Sequence, residues 1–408
     1  MINVARPENT GGAPASPLFI LSCERSGSTL LRYIVDTHPQ IACPGHLYLG
    51  RLCQSLEGAL WPTLGQTLPG MDDGEKAAAV AAEIRRIVGG MMSRYADAKG
   101  KSLWCEKTPM NLDYLDVIRR AFAQARYVCL YRHCMDVVHS CVGLSAYRYL
   151  PEHIPYVQRH PDNIVVAMMS NWIDKTERLL AFERQNPGGC HRLRYESLVC
   201  DTPAALEGLF GFLAVDWSPD LIEAVFTQRH DSGEGDAKVQ FAGRISADSV
   251  GKGRQVPRDL IPQALQERAD ALLALLDYPS IDAFYRRHAV GPATAPTARA
   301  EQAADDLFQR LWAGKQERLR RADGLASCSC KFVVTGGNGG AWIVDPASRE
   351  GVVPADGRET SSTVALSAEL LRDIADGRKN PMEAYEEGQI EVAGDRDVAF
   401  EFGRLLFA

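Results

Sequence analysis

The chain of 408 residues is 46% apolar and 24% charged, ordinary values for a folded protein, and at the usual ~100–200 residues per domain its length asks for two or three domains. A formal net charge of −7 argues against nucleic acid as the main partner, and no apolar run approaches the ~18 residues of a transmembrane segment. Residues 1–17 read as a flexible N-terminus without the basic and apolar segments of a secretory leader, so the eleven scattered cysteines are expected to be reduced thiols in a cytoplasmic protein.

The first element is an apolar strand, Leu18 to Leu21, running into a small-residue turn, Ser26-Gly27-Ser28-Thr29, and then into a helix whose Leu30, Leu31, Ile34 and Val35 share one face. A turn of this kind aims backbone N–H groups at an anion, and open parallel sheets bind ligands at that strand edge. Arg25 adds a fixed cation. The second Gly and the Lys of the triphosphate loop G-x-x-x-x-G-K-[ST] are missing, and so is the dinucleotide pattern G-x-G-x-x-G, so the cradle suits a different phosphate. An ordinary strand-turn-helix with a Ser/Thr cap accounts for the same residues without a ligand.

His38 closes that helix and reads as structural, and His46 follows in "HPQIACPGH". "CEKTP" places Glu106 and Lys107 ahead of Thr108-Pro109, a pattern that opens a helix whether the charged pair is functional or simply solvated. In "RYVCLYRHCMDVVHSCV" the strand-into-helix grammar returns, with Arg132 ending the apolar run and Ser140 eight residues on. Arg132 either pairs with Asp136 on the helix surface or forms a second anion site. If the two strands are neighbours, Arg25 and Arg132 bind two separated anionic groups, as on a nucleotide phosphorylated at both 5′ and 3′ positions. Strands at Tyr127–Tyr131 and Arg192–Tyr195 alternate with helical patterns at Leu112–Phe122, Val137–Leu144 and Ala204–Leu213, which predicts an α/β fold with a P-loop-like parallel sheet flanked by helices.

Residues 289–303, rich in Pro, Ala and Thr, read as a linker between a first domain at 18–288 and a second at 304–408. The second begins with a helical pattern at Ala304–Arg321. "CKFVVTGGNGGAWIVDP" then gives a hairpin, followed by strands at Thr363–Leu366 and Ile390–Val392 and helices at Ser367–Asp376 and Asn380–Glu386. This is a smaller α+β unit. Cys328-Ser329-Cys330 has no second Cys/His pair near it, so buried thiols are expected and no metal.

"RSGSTLL" leading to "DTHP", then "EKTP", then Arg132 with Ser140, then "RYESLV", resembles in order and spacing the sulfotransferase superfamily, nearest to its tyrosylprotein-type and bacterial small-molecule branches, over about Leu18 to Tyr285. The resemblance implies 3′-phosphoadenosine 5′-phosphosulfate (PAPS) as donor and no metal. It implies that Arg25, Ser26, Gly27, Ser28 and Thr29 hold the 5′-phosphosulfate, that Arg132 and Ser140 hold the 3′-phosphate, and that Tyr195 lies near the donor. "SADSVGKG" falls where related enzymes close a loop over the nucleotide and offers Ser246 and Lys252. Sulfuryl transfer spreads charge over equatorial oxygens, and Lys107 is the cation that relatives set against it. Where relatives supply a Glu base the chain has His46, whose ordinary pKa of about 6.5 predicts a pH limb within about two units of that value. "RHCMD" replaces the Arg-Asp-Pro of many relatives.

"ALSAELLRDIADGRKNPMEAYEEGQIEVAGD" followed by "VAFEFGRLLF" resembles the sterol carrier protein type two fold over about Glu301 to Ala408. That resemblance implies an apolar tunnel for acyl chains or sterols, serving to present a lipophilic acceptor or to mediate dimerisation; Val364, Leu366, Leu370, Leu371, Ile374 and Leu405 equally suit an ordinary core. The expectation for the whole chain is a sulfotransferase acting on a hydroxyl of a hydrophobic small molecule or lipid-like metabolite. A nucleotide-dependent small-molecule kinase and a non-enzymatic lipid-binding protein with a degenerate nucleotide domain are the alternatives.

Overall fold

The computed structural model describes residues 16–145, 150–231, 237–286, 328–336, 339–348, 351–355 and 357–407, together with Leu307, Leu311 and Leu325. The linker and nearly all of the N-terminal stretch and of the helix expected at 304–321 lie outside the described residues. The chain divides into two compact units: Met1–Val142, Tyr149–Gly235 and Ser246–Phe284 form the first, and Gly143–Arg148, Asp236–Ile245 and Tyr285–Ala408 the second.

The first unit is built on a parallel sheet of five strands, β1 (Leu18–Ser22), β2 (Ile41–Ala42), β3 (Leu103–Glu106), β4 (Arg126–Tyr131) and β5 (Cys190–Arg194), in the order β2-β3-β1-β4-β5. The fold is α/β, with helices such as α1 (Ser28–Thr37) and α2 (Leu49–Thr67) connecting the strands. All five residues of β1 are buried, which is why Leu18 to Leu21 reads as an unbroken apolar run rather than an alternating one. Phe19 is fully buried between Trp104, Phe122 and Tyr127, with ring centroids 5.7, 5.9 and 5.8 Å away. β1 is central, with β3 on one side and β4 on the other, so the crevice at its carboxyl end is a topological switch point.

The expected strands at 18–22 and 127–131 are present, the latter from Arg126. The third runs Cys190–Arg194, and Tyr195 already opens the helix Tyr195–Cys200. The helical pattern at Leu112–Phe122 is broken at Tyr114 into a 3₁₀ turn, Pro109–Asp113, and a helix, Leu115–Ala121.

The second unit holds a five-stranded mixed sheet, in which β6 (Cys330–Thr335), β7 (Gly340–Val344), β8 (Val352–Pro354), β9 (Ser362–Ser367) and β10 (Glu391–Gly394) are ordered β10-β9-β6-β7-β8. β6 and β7 form the expected antiparallel hairpin, while β6 and β9 pair in parallel. Ser367 and Asn380 cap the helices Ala368–Ala375 and Pro381–Glu386, each accepting first-turn amides. Val364, Leu366, Leu370, Leu371, Ile374 and Leu405 are all buried in the core of this unit. Beside that core lies a small apolar cavity of about 40 Å³ walled in part by Phe332, Tyr385, Phe400 and Phe407. Phe241, from the inserted segment Asp236–Ile245, completes the wall. Lys238 anchors that segment, its carbonyl accepting from Asn380 at 3.0 Å and its ammonium pairing with Glu386 at 2.7 Å.

Replacing Phe19 by Ala removes the ring around which the central strand is packed, and should cost about 3–5 kcal/mol. Chemical denaturation followed by tryptophan fluorescence measures it; a midpoint unchanged from wild type would mean that the sheet does not depend on this ring.

Candidate functional site

Each strand of the parallel sheet delivers a side chain of interest from its carboxyl end. The loop after β1 carries Arg25 to Thr29, His46 follows β2, Lys107 follows β3, Arg132 follows β4 and Tyr195 follows β5. The turn after β1 is held open by backbone geometry: Arg25 has φ 63° and Gly27 φ 92°. A Cβ on Gly27 would overlap the Tyr195 ring, so only glycine permits the ring to lie against the turn. No side chain caps α1 at Gly27, and the first amides of a helix have no partner within it. Ser26 is buried with its hydroxyl unpartnered.

Arg25 and Arg132, separate in sequence, meet here. Arg25 Nε donates to Ser140 Oγ at 3.0 Å, and Arg132 Nη1 donates to the Arg25 carbonyl at 3.0 Å. Arg132 Nη2 donates to the Ser249 carbonyl at 2.8 Å, its guanidinium lies 4.4 Å from the Tyr195 ring centroid, and its buried Nε has no partner. Arg132 therefore does not pair with Asp136. That carboxylate instead accepts the amides of Gly251 and Gly253 at 2.8 and 2.7 Å, and so fastens the loop that contains Ser249. The Tyr195 hydroxyl completes the closure with Ser249 Oγ at 2.7 Å. Ser246 Oγ accepts the Asp248 amide, and Lys252 begins the short turn Lys252–Gln255. Ser249, which sequence reasoning missed, is the serine of this loop that touches Arg132 and Tyr195. "SADSV" offers two serines three residues apart, and only the fold distinguishes them.

Lys107 is not a solvated residue: it is 1% exposed, and Glu106 beside it is fully buried. Lys107 Nζ donates to Thr29 Oγ1 at 3.3 Å and lies 2.6 Å from His46 Nε2. With Lys107 as an ammonium, Nε2 accepts. Burial, then Lys107, then Arg32 hold the His46 pKa down to about 3, so the imidazole is neutral across physiological pH. This corrects the expected limb near 6.5; the causes are burial first and then two cations that stand far from His46 in sequence. His38 instead secures the end of α1, with Nε2 2.7 Å from the Asp216 carbonyl and Nδ1 accepting from the Gln40 amide at 3.2 Å.

Buried, unpartnered Ser26 Oγ and Arg132 Nε, together with the uncapped turn, suit an anionic ligand with two separated charges. Cation, turn and neutral imidazole meet through Lys107.

Residues 17–219 match the model of a sulfotransferase family and residues 306–407 that of the SCP-2 sterol transfer family. A protein named as a candidate protein-tyrosine sulfotransferase from Caenorhabditis briggsae is 23% identical over 205 residues, which cover 50% of this chain and 68% of that one. Sterol carrier protein 2 of Rattus norvegicus is 24% identical over 166 residues, 37% of this chain and only 29% of that protein. Among solved structures, a sulfotransferase domain from the curacin biosynthetic pathway superposes with a TM-score of 0.48 at 22% identity, covering 65% of this chain and 98% of that one. No described helix is long and apolar enough to cross a membrane.

The His46 environment sets a sign. The unfolded chain takes up a proton near the ordinary value of 6.5 while the folded site resists until about 3, so acidification between these values favours unfolding through this group. Nuclear magnetic resonance titration of the His46 ring should show no protonation between pH 8 and pH 4.5. A midpoint near 6.5 would remove Lys107 and Arg32 as its neighbours.

Proposed function

We propose that this chain, which joins a sulfotransferase-family domain at residues 17–219 to an SCP-2-family domain at residues 306–407, moves a sulfo group from PAPS to a hydroxyl of a hydrophobic small molecule or lipid-like metabolite in the cytoplasm. The observation that carries this reading is the position of Lys107, one buried ammonium bonded both to Thr29 of the anion turn and to the neutral ring of His46. The donor supplies an activated sulfo group, whose sulfur–oxygen bond to the 5′-phosphate breaks as a bond to the acceptor oxygen forms.

Arg25 and the Ser26–Thr29 turn hold the 5′ end of the donor. Arg132 and Ser140 hold the 3′-phosphate, with Tyr195 against the nucleotide and the loop bearing Ser246, Ser249 and Lys252 closing over it. The Arg25 and Arg132 contacts support this division, because each guanidinium is already oriented by a neighbour before an anion arrives. Lys107 stabilises charge that develops on the transferring oxygens. His46 takes the acceptor's proton: its Nε2 lone pair, which accepts from Lys107, is freed for the acceptor as Lys107 turns to the sulfo oxygens. The acceptor leaves as a sulfate ester, the donor as 3′-phosphoadenosine 5′-phosphate, and the proton on His46 passes to solvent. Within the second unit, the cavity lined by Phe332, Tyr385, Phe400 and Phe407 supports a lipophilic acceptor or ligand.

Arg132→Ala should weaken binding of 3′-phosphoadenosine 5′-phosphate by about 2–5 kcal/mol, because a charge-assisted partner is lost, and should leave adenosine 5′-phosphosulfate far less affected. Calorimetry with both nucleotides decides; equal losses would place the 3′-phosphate elsewhere. Lys107→Ala should lower kcat roughly a hundredfold or more while donor affinity stays within about tenfold, the pattern of a group acting in the transition state. Steady-state rates with labelled donor provide the measurement, and normal turnover would end this assignment.

A further inference from the structure

His46 sits on an irregular stretch between β2 and α2 that ends at Tyr48, whose φ of 54° is left-handed. A non-glycine residue persists there only where its surroundings over-determine it. Three side chains from the end of β3 do this by accepting amides just beyond His46. Glu106 Oε1 takes the Leu47 amide at 3.4 Å, Thr108 Oγ1 the Tyr48 amide at 3.2 Å and Asn111 Oδ1 the Gly50 amide at 3.0 Å. A Cβ at Gly50 would fall 2.7 Å from Tyr114 Cβ and 2.8 Å from Asn111 Oδ1, so glycine is what lets α2 begin this close to Asn111.

These acceptors are not independent. The Thr108 hydroxyl donates to Glu106 Oε1 and the Asn111 amide donates to Glu106 Oε2. Spending its hydrogen on Glu106 leaves Thr108 with lone pairs for Tyr48. Turning its NH₂ to Glu106 leaves Asn111 with its oxygen for Gly50. A fully buried carboxylate thus sets the orientation of both neighbours and accepts a third amide itself.

We propose that Glu106 is a positioning residue: acting through Thr108 and Asn111, it fixes the backbone of residues 47–50 and so holds His46 against Lys107. Its importance for catalysis rests on the reading of His46 as the base; its effect on His46 does not. The groups facing the ring include Lys107 from the end of β3, Arg32 from α1 and the Tyr48 ring edge-on at 6.0 Å.

Glu106→Gln keeps the volume but presents an NH₂ either to Asn111 or to Thr108 and the Leu47 amide, which sets donor against donor in at least one bond of the set. In the full chain, the ring titration of His46, expected to show no protonation from pH 8 to pH 4.5 in the wild type, should acquire a midpoint inside that range as the ring moves out from Lys107. Binding of 3′-phosphoadenosine 5′-phosphate should change by less than about twofold, and kcat should fall about tenfold or more, with the wild-type pH dependence altered in the same range. Thr108→Val, which loses the acceptor for Tyr48 at nearly constant shape, should move the titration in the same direction and serves as the measurement if Glu106→Gln does not fold. An unchanged His46 titration in whichever variant folds overturns the proposal, and so does failure of both to fold, which would make the network a requirement of the fold. A shifted titration in the variants, with a wild-type chain that shows no sulfotransferase activity, would remove the catalytic reading and leave the clamp standing.

Discussion

The site is organised by one guanidinium that is satisfied mainly by backbone. Arg132 gives hydrogen bonds to the carbonyls of Arg25 and Ser249, lies over Tyr195, and has its own carbonyl held by Trp172 Nε1 at 3.1 Å. Three loops and a long helix are thereby referred to one planar group. Arginine suits the task because its fork is rigid and always charged, whereas a lysine would offer a mobile point charge. The strained Arg25 backbone and the packing of Tyr195 on Gly27 follow from this registration, since each places a loop where Arg132 can reach it.

A second arrangement faces it across the sheet edge, with different physics. Lys107 and His46 form a charged–neutral pair, and their closeness is tolerable only because the ring stays unprotonated. A carboxylate in the place of His46 would form an ion pair with Lys107 and neutralise it. An imidazole leaves the full positive charge available toward the anion turn, its one acceptor nitrogen being taken up by Lys107. A histidine at this position therefore gives the site a different electrostatic character from the one a carboxylate would give it.

Much of the architecture was legible because its signals are local. β1 announces itself by four consecutive apolar residues, Leu18 to Leu21, before a glycine turn, and the β6–β7 hairpin by two short runs around a Gly-rich turn. Arg132 could be singled out because it ends an apolar run. β2, with two residues, and β3, with four, are too short to show a period, so the strand that delivers Lys107 had no sequence signature of its own. The pKa of His46 was illegible for another reason: its burial, and the cations of α1 and of the end of β3 beside it, exist only once the chain has folded. The choice of Ser249 over Ser246 depends likewise on a loop fastened by Asp136, whose role as an amide acceptor the i, i+4 spacing to Arg132 conceals.

The segment Asp236–Ile245 belongs to the second unit, although chain on both sides of it builds the first. During synthesis on a ribosome the first unit emerges with Phe241 already present, but Phe332, Tyr385 and Phe400, which enclose that ring's cavity, are not yet made. Phe241 must wait in water, or in the grip of a chaperone, until the C-terminal residues arrive. The two family modules are consequently not two independent folding events in series. Severing the chain near residue 289 would leave one piece with an orphaned aromatic segment and the other with an open wall.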